Sequence, residues 1–114
     1  MTDRSSALPW IFIDGASQRI FRIRRANPAW EATEEGALEL ARCSFYIDSD
    51  DGTSFDFLLQ ISGNVLKNHS VCDAVQLADL LASKGVEIIE GAIHRGIRGD
   101  QQLVWEPDGV SLIG

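Results

Sequence analysis

The sequence predicts a single α+β domain: an antiparallel sheet of hairpins with two helices packed on one face, in the order ββα-ββα-βββ. Three observations carry that expectation. A chain of 114 residues fits one domain and is long enough to bury one core. Period-two alternation of apolar and polar residues recurs on either side of Gly-containing turns, as in β-hairpins. Two further stretches place their apolar residues at helical spacing behind capping residues. The hydrophobic fraction of 45% and charged fraction of 24% are those of an ordinary globular protein, not of a disordered one.

Residues 1–8, rich in Ser, Asp and Arg, are expected to form a flexible tail, leaving 9–114 as the domain. Trp10-Ile11-Phe12-Ile13 is an apolar run stopped by the turn dipeptide Asp14-Gly15. Beyond it Phe21 and Ile23 alternate with Arg22 and Arg24, which completes a first hairpin. Asn27 and Pro28 then read as the cap and first residue of a helix over 28–42. At 100° per residue, Ala29, Trp30, Thr33, Ala37, Leu40 and Ala41 gather on one side, with Glu31, Glu35, Glu39 and Arg42 opposite. Gly36 costs such a helix about 1 kcal/mol, so the competing reading is a short helix to Glu35 and a strand from Ala37.

Ser44 to Ile47 and Ser54 to Ile61 flank Asp48-Ser49-Asp50-Asp51-Gly52 as a second hairpin, with Phe55, Phe57, Leu59 and Ile61 facing the core. After a Gly63-Asn64 loop, Ser70 is the expected cap of a helix starting at Val71. Gly85 is its expected stop, and Leu80 falls outside its apolar arc. Val86 to Ile89 reads as a strand, continued by Ile93 and Ile97 through a glycine-punctuated bend. A last hairpin runs through Pro107-Asp108-Gly109.

The net charge of −7 is uneven: residues 1–25 carry +3 and the remainder −10. Overall acidity argues against direct nucleic-acid binding, which rests on Lys and Arg releasing phosphate counterions. No segment of about 20 apolar residues spans a membrane, and Met1 to Leu8 lack a signal-peptide core, so a cytoplasmic location is expected. The Asn68-His69-Ser70 sequon then carries no weight. Cys43 and Cys72 are too few for a disulfide framework and lack zinc-pair spacing, so both are expected as free thiols.

The motifs that resemble chemistry fail on detail. An EF-hand loop from Asp48 needs Gly and Glu where Thr53 and Leu59 stand. Gly91 and Gly96 have phosphate-loop spacing, but Ile97 and Arg98 replace the Lys and Ser/Thr. His69 and His94 share no metal-ligand spacing, and no cofactor or metal is implied.

What remains is the acidic surface. Glu31, Glu35 and Glu39, with Asp48, Asp50 and Asp51, are the candidate binding residues, expected to form a negative ridge that steers toward a basic protein partner. The leading expectation is a small non-enzymatic binding protein of the inhibitor or immunity type. The alternatives are a small enzyme or ligand-binding domain with a cleft near Cys72, His94 and Arg95, and an oligomer subunit with Leu80 in its interface. The arginines Arg19, Arg22, Arg24 and Arg25 are read first as guards of an edge strand, the alternatives being contact with an anionic partner and pairing with the chain's own acids.

Overall fold

In the computed structural model, which describes residues 8–36, 38–99 and 101–113, the chain opens as an antiparallel meander: β1 (Trp10–Asp14), β2 (Arg19–Ala32), β3 (Leu38–Ser49) and β4 (Ser54–Ser62). Helices α1 (Gly63–Asn68), α2 (Ala74–Leu80) and α3 (Val86–His94) follow, then the hairpin β5 (Gln102–Glu106) and β6 (Gly109–Ile113). The strands lie in the order of the sequence in one six-stranded curled sheet, and the whole is one domain. The expected hairpins at 14–19, 48–54 and 106–109 are all present. The expected tail lies outside the described residues except for Leu8, as does Ala37.

The expected element order is corrected in three places. The helix over 28–42 does not form; Asn27 and Pro28 continue β2, and the strand reverses through Thr33 to Gly36 into β3. Pro28 is tolerated there because β1 pairs only as far as Trp10 opposite Ile23, so that stretch of β2 has β3 as its neighbour and an open second edge. Gly36, at φ +87°, supplies the left-handed turn that a helix interior would forbid. The overlooked signal is period two: Ala41, Cys43, Phe45, Ile47 and Ser49 are all buried, and the alternation begins well before Ser44.

The second correction concerns 63–94. Gly63 and Asn64 open α1 under a Ser62 cap, and α2 starts at Ala74 with Asp73, not Ser70, as its N-cap. Gly85 does not stop the helix. Leu81–Gly85 form a π-helical turn with right-handed backbone at both ends, joining α2 to α3 as one helical rod. Val86, Ile89, Ala92 and Ile93 are buried at helical spacing, so the four-residue run read as a strand is helix. Leu80 is buried within the core, which removes it as an exposed interface residue.

Third, the sheet is mixed. The helical crossover returns the chain beside β4 in the same direction, so Leu59, Gln60 and Ile61 pair in parallel with Leu103, Val104 and Trp105. One core unites Phe45, Ile47, Phe57, Leu59 and Ile61 of the sheet with Leu77, Leu81, Val86, Ile89 and Ile93 of the rod.

The loop after α3 is held to β4 at Gly99. A β-carbon there would lie 2.2 Å from the Asp56 carbonyl oxygen, and its φ of +92° already disfavours any side chain. Gly99→Ala should therefore lower the unfolding free energy by about 2 kcal/mol or more. Gly91, inside α3 with nothing within 4 Å of a built β-carbon, is the matched control. Gly91→Ala should raise stability by about 0.5–1 kcal/mol. Urea unfolding of the two variants checks both signs, and a neutral Gly99→Ala would refute the close approach.

Candidate functional site

The β2–β3 hairpin projects beyond β1, and its far end gathers the first group of candidate acids. Glu31 lies on β2, Glu35 in the turn and Glu39 on β3, all exposed, with Glu34 exposed between them. Glu31 accepts from Arg42 Nη1–H at 3.0 Å, an exposed pair of small energetic weight. Among the described residues no ion pair reaches Glu34, Glu35 or Glu39. Trp30 stands beside them on β2 with 44% of its surface exposed. Glu35, Leu38 and Lys67 also line a groove of about 510 Å³ that continues to Val71 and Cys72. This end therefore combines unpaired negative charge, an exposed indole and an apolar floor.

The second group lies at the other end of β3. Glu39 and Asp48 are separated along one strand by on the order of 30 Å. The six candidate acids thus fall into two clusters, not one ridge. In the second cluster most of the charge is answered from within the chain. Asp48 takes Arg22 Nε–H on one carboxylate oxygen at 2.9 Å and Arg24 Nε–H on the other at 2.8 Å. A bulge at Arg24, between the Ile23 and Arg25 pairings, brings that side chain to the same carboxylate as Arg22. Partial burial alone would raise the Asp48 pKa; the two arginines outweigh it and hold the carboxyl below its ordinary value. Asp51 is lowered to about 2, chiefly by the Thr53 hydroxyl and backbone N–H, with help from its ion-pair partner Arg19. Asp50 accepts from the Ser49 hydroxyl at 3.3 Å. Arg25 lies over the Tyr46 ring at 5.0 Å. The arginine-rich strand serves the chain's own acids and rings.

The residues of the expected cleft are not brought together. Cys72 lines the groove beside Leu38 at the start of β3. His94 is anchored to Asp14, next to the β2 residues that pair with the end of β3. Arg95 turns back to the Gly91 carbonyl at 3.4 Å.

His94 belongs instead to a cluster that the sequence reading passed over. Its Nδ1 lies 3.2 Å from Asp14 Oδ1 on β1, and its Nε2 lies 3.1 Å from Glu90 Oε2 one helical turn back. Trp10 Nε1–H donates to the other oxygen of Glu90 at 2.6 Å. Ser17 Oγ–H donates to Asp14 Oδ2 at 2.7 Å, and Arg98 approaches that oxygen at 3.9 Å. Asp14 shares a side of β1 with Phe12, and that alternation was the signal that it points inward. The hydroxyl of Ser17 and the imidazole hold the Asp14 carboxyl below its ordinary value. The same contacts from Asp14 and Glu90 raise His94 above its ordinary value. Both ring nitrogens face carboxylates, so neither is free to take a proton from a substrate, and Ser17 bonds the aspartate instead of the histidine. The arrangement ties elements together; it does not form a nucleophile–base pair.

Among the described residues, no group of three or more His, Cys, Asp or Glu is placed to hold a metal ion, and no helix is long and apolar enough to cross a membrane. No family model, curated protein or solved structure matches the chain, so its function is argued from its own side chains.

The thiols differ sharply. Cys43 is buried, and that burial pushes its pKa up to about 12, against a smaller opposing pull from the Asn27 backbone; Cys72 is exposed. A thiol-specific chromogenic reagent should titrate Cys72 promptly in the native protein and reach Cys43 only in denaturant. Equal native rates for the two would contradict the inward side of β3.

Proposed function

We propose that the domain is a non-enzymatic binding protein that holds a basic protein partner against the acidic end of its β2–β3 hairpin. The observation that carries the reading is Trp30, exposed near the end of β2, with Glu31 on the opposite side of the same strand and Glu34, Glu35 and Glu39 exposed in the adjoining turn and on β3. Tryptophan is among the residue types most enriched at interface hot spots, and acids at the same end of the hairpin favour a partner of opposite sign. Glu34, Glu35 and Glu39, which no ion pair reaches among the described residues, keep their field for a ligand, whereas Glu31 shares its charge with Arg42 and Asp48 and Asp51 spend theirs on Arg22, Arg24 and Arg19. The concrete form is an inhibitor or immunity-type protein that occludes a basic enzyme. In this form Asp50, Asp48 and Asp51 contribute at most to long-range steering.

The open stretch of β2 also carries devices that limit indiscriminate strand pairing: Pro28 and a bulge at Arg24. Side-chain recognition by Trp30 and the glutamates is therefore favoured over simple addition of a strand.

The test is affinity capture from native lysate at low and high salt, followed by quantitative binding of the captured protein. Trp30→Ala should weaken binding by tenfold or more, about 1.4 kcal/mol. Glu35→Lys with Glu39→Lys should weaken it further and flatten its dependence on salt. Undiminished affinity in both variants, at unchanged stability, would refute the assignment.

A further inference from the structure

We propose that His94 is a pH-sensitive latch: facing Asp14 on β1 through Nδ1 and Glu90 on its own helix through Nε2, its ring holds the edge strand to the helix most firmly while it carries both protons. A carboxylate can only accept, so both contacts, at 3.2 and 3.1 Å, are hydrogen bonds only for the doubly protonated imidazolium. A neutral ring must turn a lone pair toward one of the two carboxylates.

Which contact opens follows from the alternatives each partner has. The Asp14 side chain is only 4% exposed and is also served by the Ser17 hydroxyl, with Arg98 3.9 Å from one oxygen. Glu90 is more exposed and keeps the Trp10 indole as a donor. The neutral ring therefore keeps its remaining proton on Nδ1, toward Asp14, and gives up Glu90; what β1 loses is the charge on the ring, because its contact through Asp14 falls from a bond between two ions to one from a neutral donor. The other side of the ring is apolar, with Phe12 edge-on at 5.3 Å. The charged groups around His94 are thus Asp14 of β1, Glu90 of α3 and Arg98 beyond the helix, the last acting through Asp14. Arg19, opposite Asp14 on β2, is engaged by Asp51, and Arg95 by the Gly91 carbonyl.

The latch matters because β1 is a short edge strand, tied to the rest by its pairing with β2, by Phe12 stacked on Phe21 and by this cluster. The strand is five residues long and pairs on one side only, with β2. Trp10, Phe12 and Asp14 are its inward side chains, and two of them end in this cluster. Loosening it uncovers Phe12 and the first part of the β2 edge. Two groups bound the pH window. The stabilisation from His94, whose folded value is raised, is complete below its ordinary 6.5 and is lost as pH rises through the folded value. That from Asp14, whose folded value is lowered, is present above its ordinary 3.8 and is lost as pH falls through the folded value. The latch is closed between them.

The test is NMR on the wild-type protein, following the His94 ring and the amide exchange of β1 and β3 across its titration. His94 should titrate above the ordinary histidine value. As it loses its proton, the protection of Ile11 to Ile13, normalised to intrinsic exchange, should fall roughly three- to tenfold while β3 holds. Glu90→Gln should lower the His94 midpoint and reduce the pH dependence of β1. Protection of β1 that is indifferent to the His94 titration, or a His94 midpoint at or below the ordinary value, would overturn the proposal. Because the wild-type titration decides alone, a poorly folding variant does not rescue it.

Discussion

A β-carbon on Gly85 would lie 3.1 Å from the Phe45 ring and 3.3 Å from a Leu81 methyl, so the helical rod sits so close to β3 here that even one added carbon would make its neighbours give way. The consequences spread in both directions along the chain. The π-helical turn over Leu81–Gly85 inserts its wider step at this crossing, which presents Leu77, Leu80 and Leu81 before it and Val86 and Ile89 after it to the core. Phe45 is fully buried under that crossing, and Ile47, Phe57 and Leu59 extend the same buried surface. The parallel pairing of β5 with β4 depends on it as well, because the rod is the crossover that brings the chain back alongside Leu59.

Electrostatics divides the molecule by a different rule. At the end of the sheet where β1, β2 and the β3–β4 turn meet, nearly every charge finds an internal counterpart. Asp48 is gripped by Arg22 and Arg24, Asp51 by Arg19, and Asp14 by His94 and Ser17. Partly buried charges need such partners, since desolvation otherwise exceeds what a distant counter-ion returns. At the other end, where β2 runs past β1, Glu31 has only its exposed pair with Arg42, and Glu34, Glu35 and Glu39 are exposed with no ion pair among the described residues. An acidic chain with its compensation concentrated at one end keeps its uncompensated field at the other.

Much of this was legible in the sequence, and the failures share a cause. Hairpins bounded by Asp14-Gly15, Asp51-Gly52 and Asp108-Gly109 were readable because turn chemistry is local. The row Phe57, Leu59, Ile61 was readable because period two leaves no helical alternative. What local signals cannot reveal is what lies beside a strand or helix. Pro28 looked like a helix start because its tolerance in β2 depends on β1 being too short to reach it. Gly85 looked like a helix stop because its real task is set by Phe45, forty residues away. The acids were identified by residue type, yet their split into paired and unpaired sets depended on the β2 register and its bulge at Arg24.

Those two ends also bear on how binding and pH would interact. The glutamate-lined end and the His94 cluster lie at opposite ends of β3, on the order of 30 Å apart, and share no side chain. Perturbations at such separations add unless an element with two discrete arrangements joins them. β2 is the one strand that runs from the β1 pairing to the hairpin end, and its path is broken by a bulge at Arg24. A bulge absorbs a change in twist locally, so loosening of β1 against β2 is dissipated near Ile23 before it reaches Trp30. The Asp48 fork, which pins Arg22 and Arg24 on either side of Ile23, adds a second barrier at the same point. The bulge and the Asp48 fork therefore stand between the exposed acidic end, proposed to meet a partner, and the His94 cluster, proposed to respond to pH.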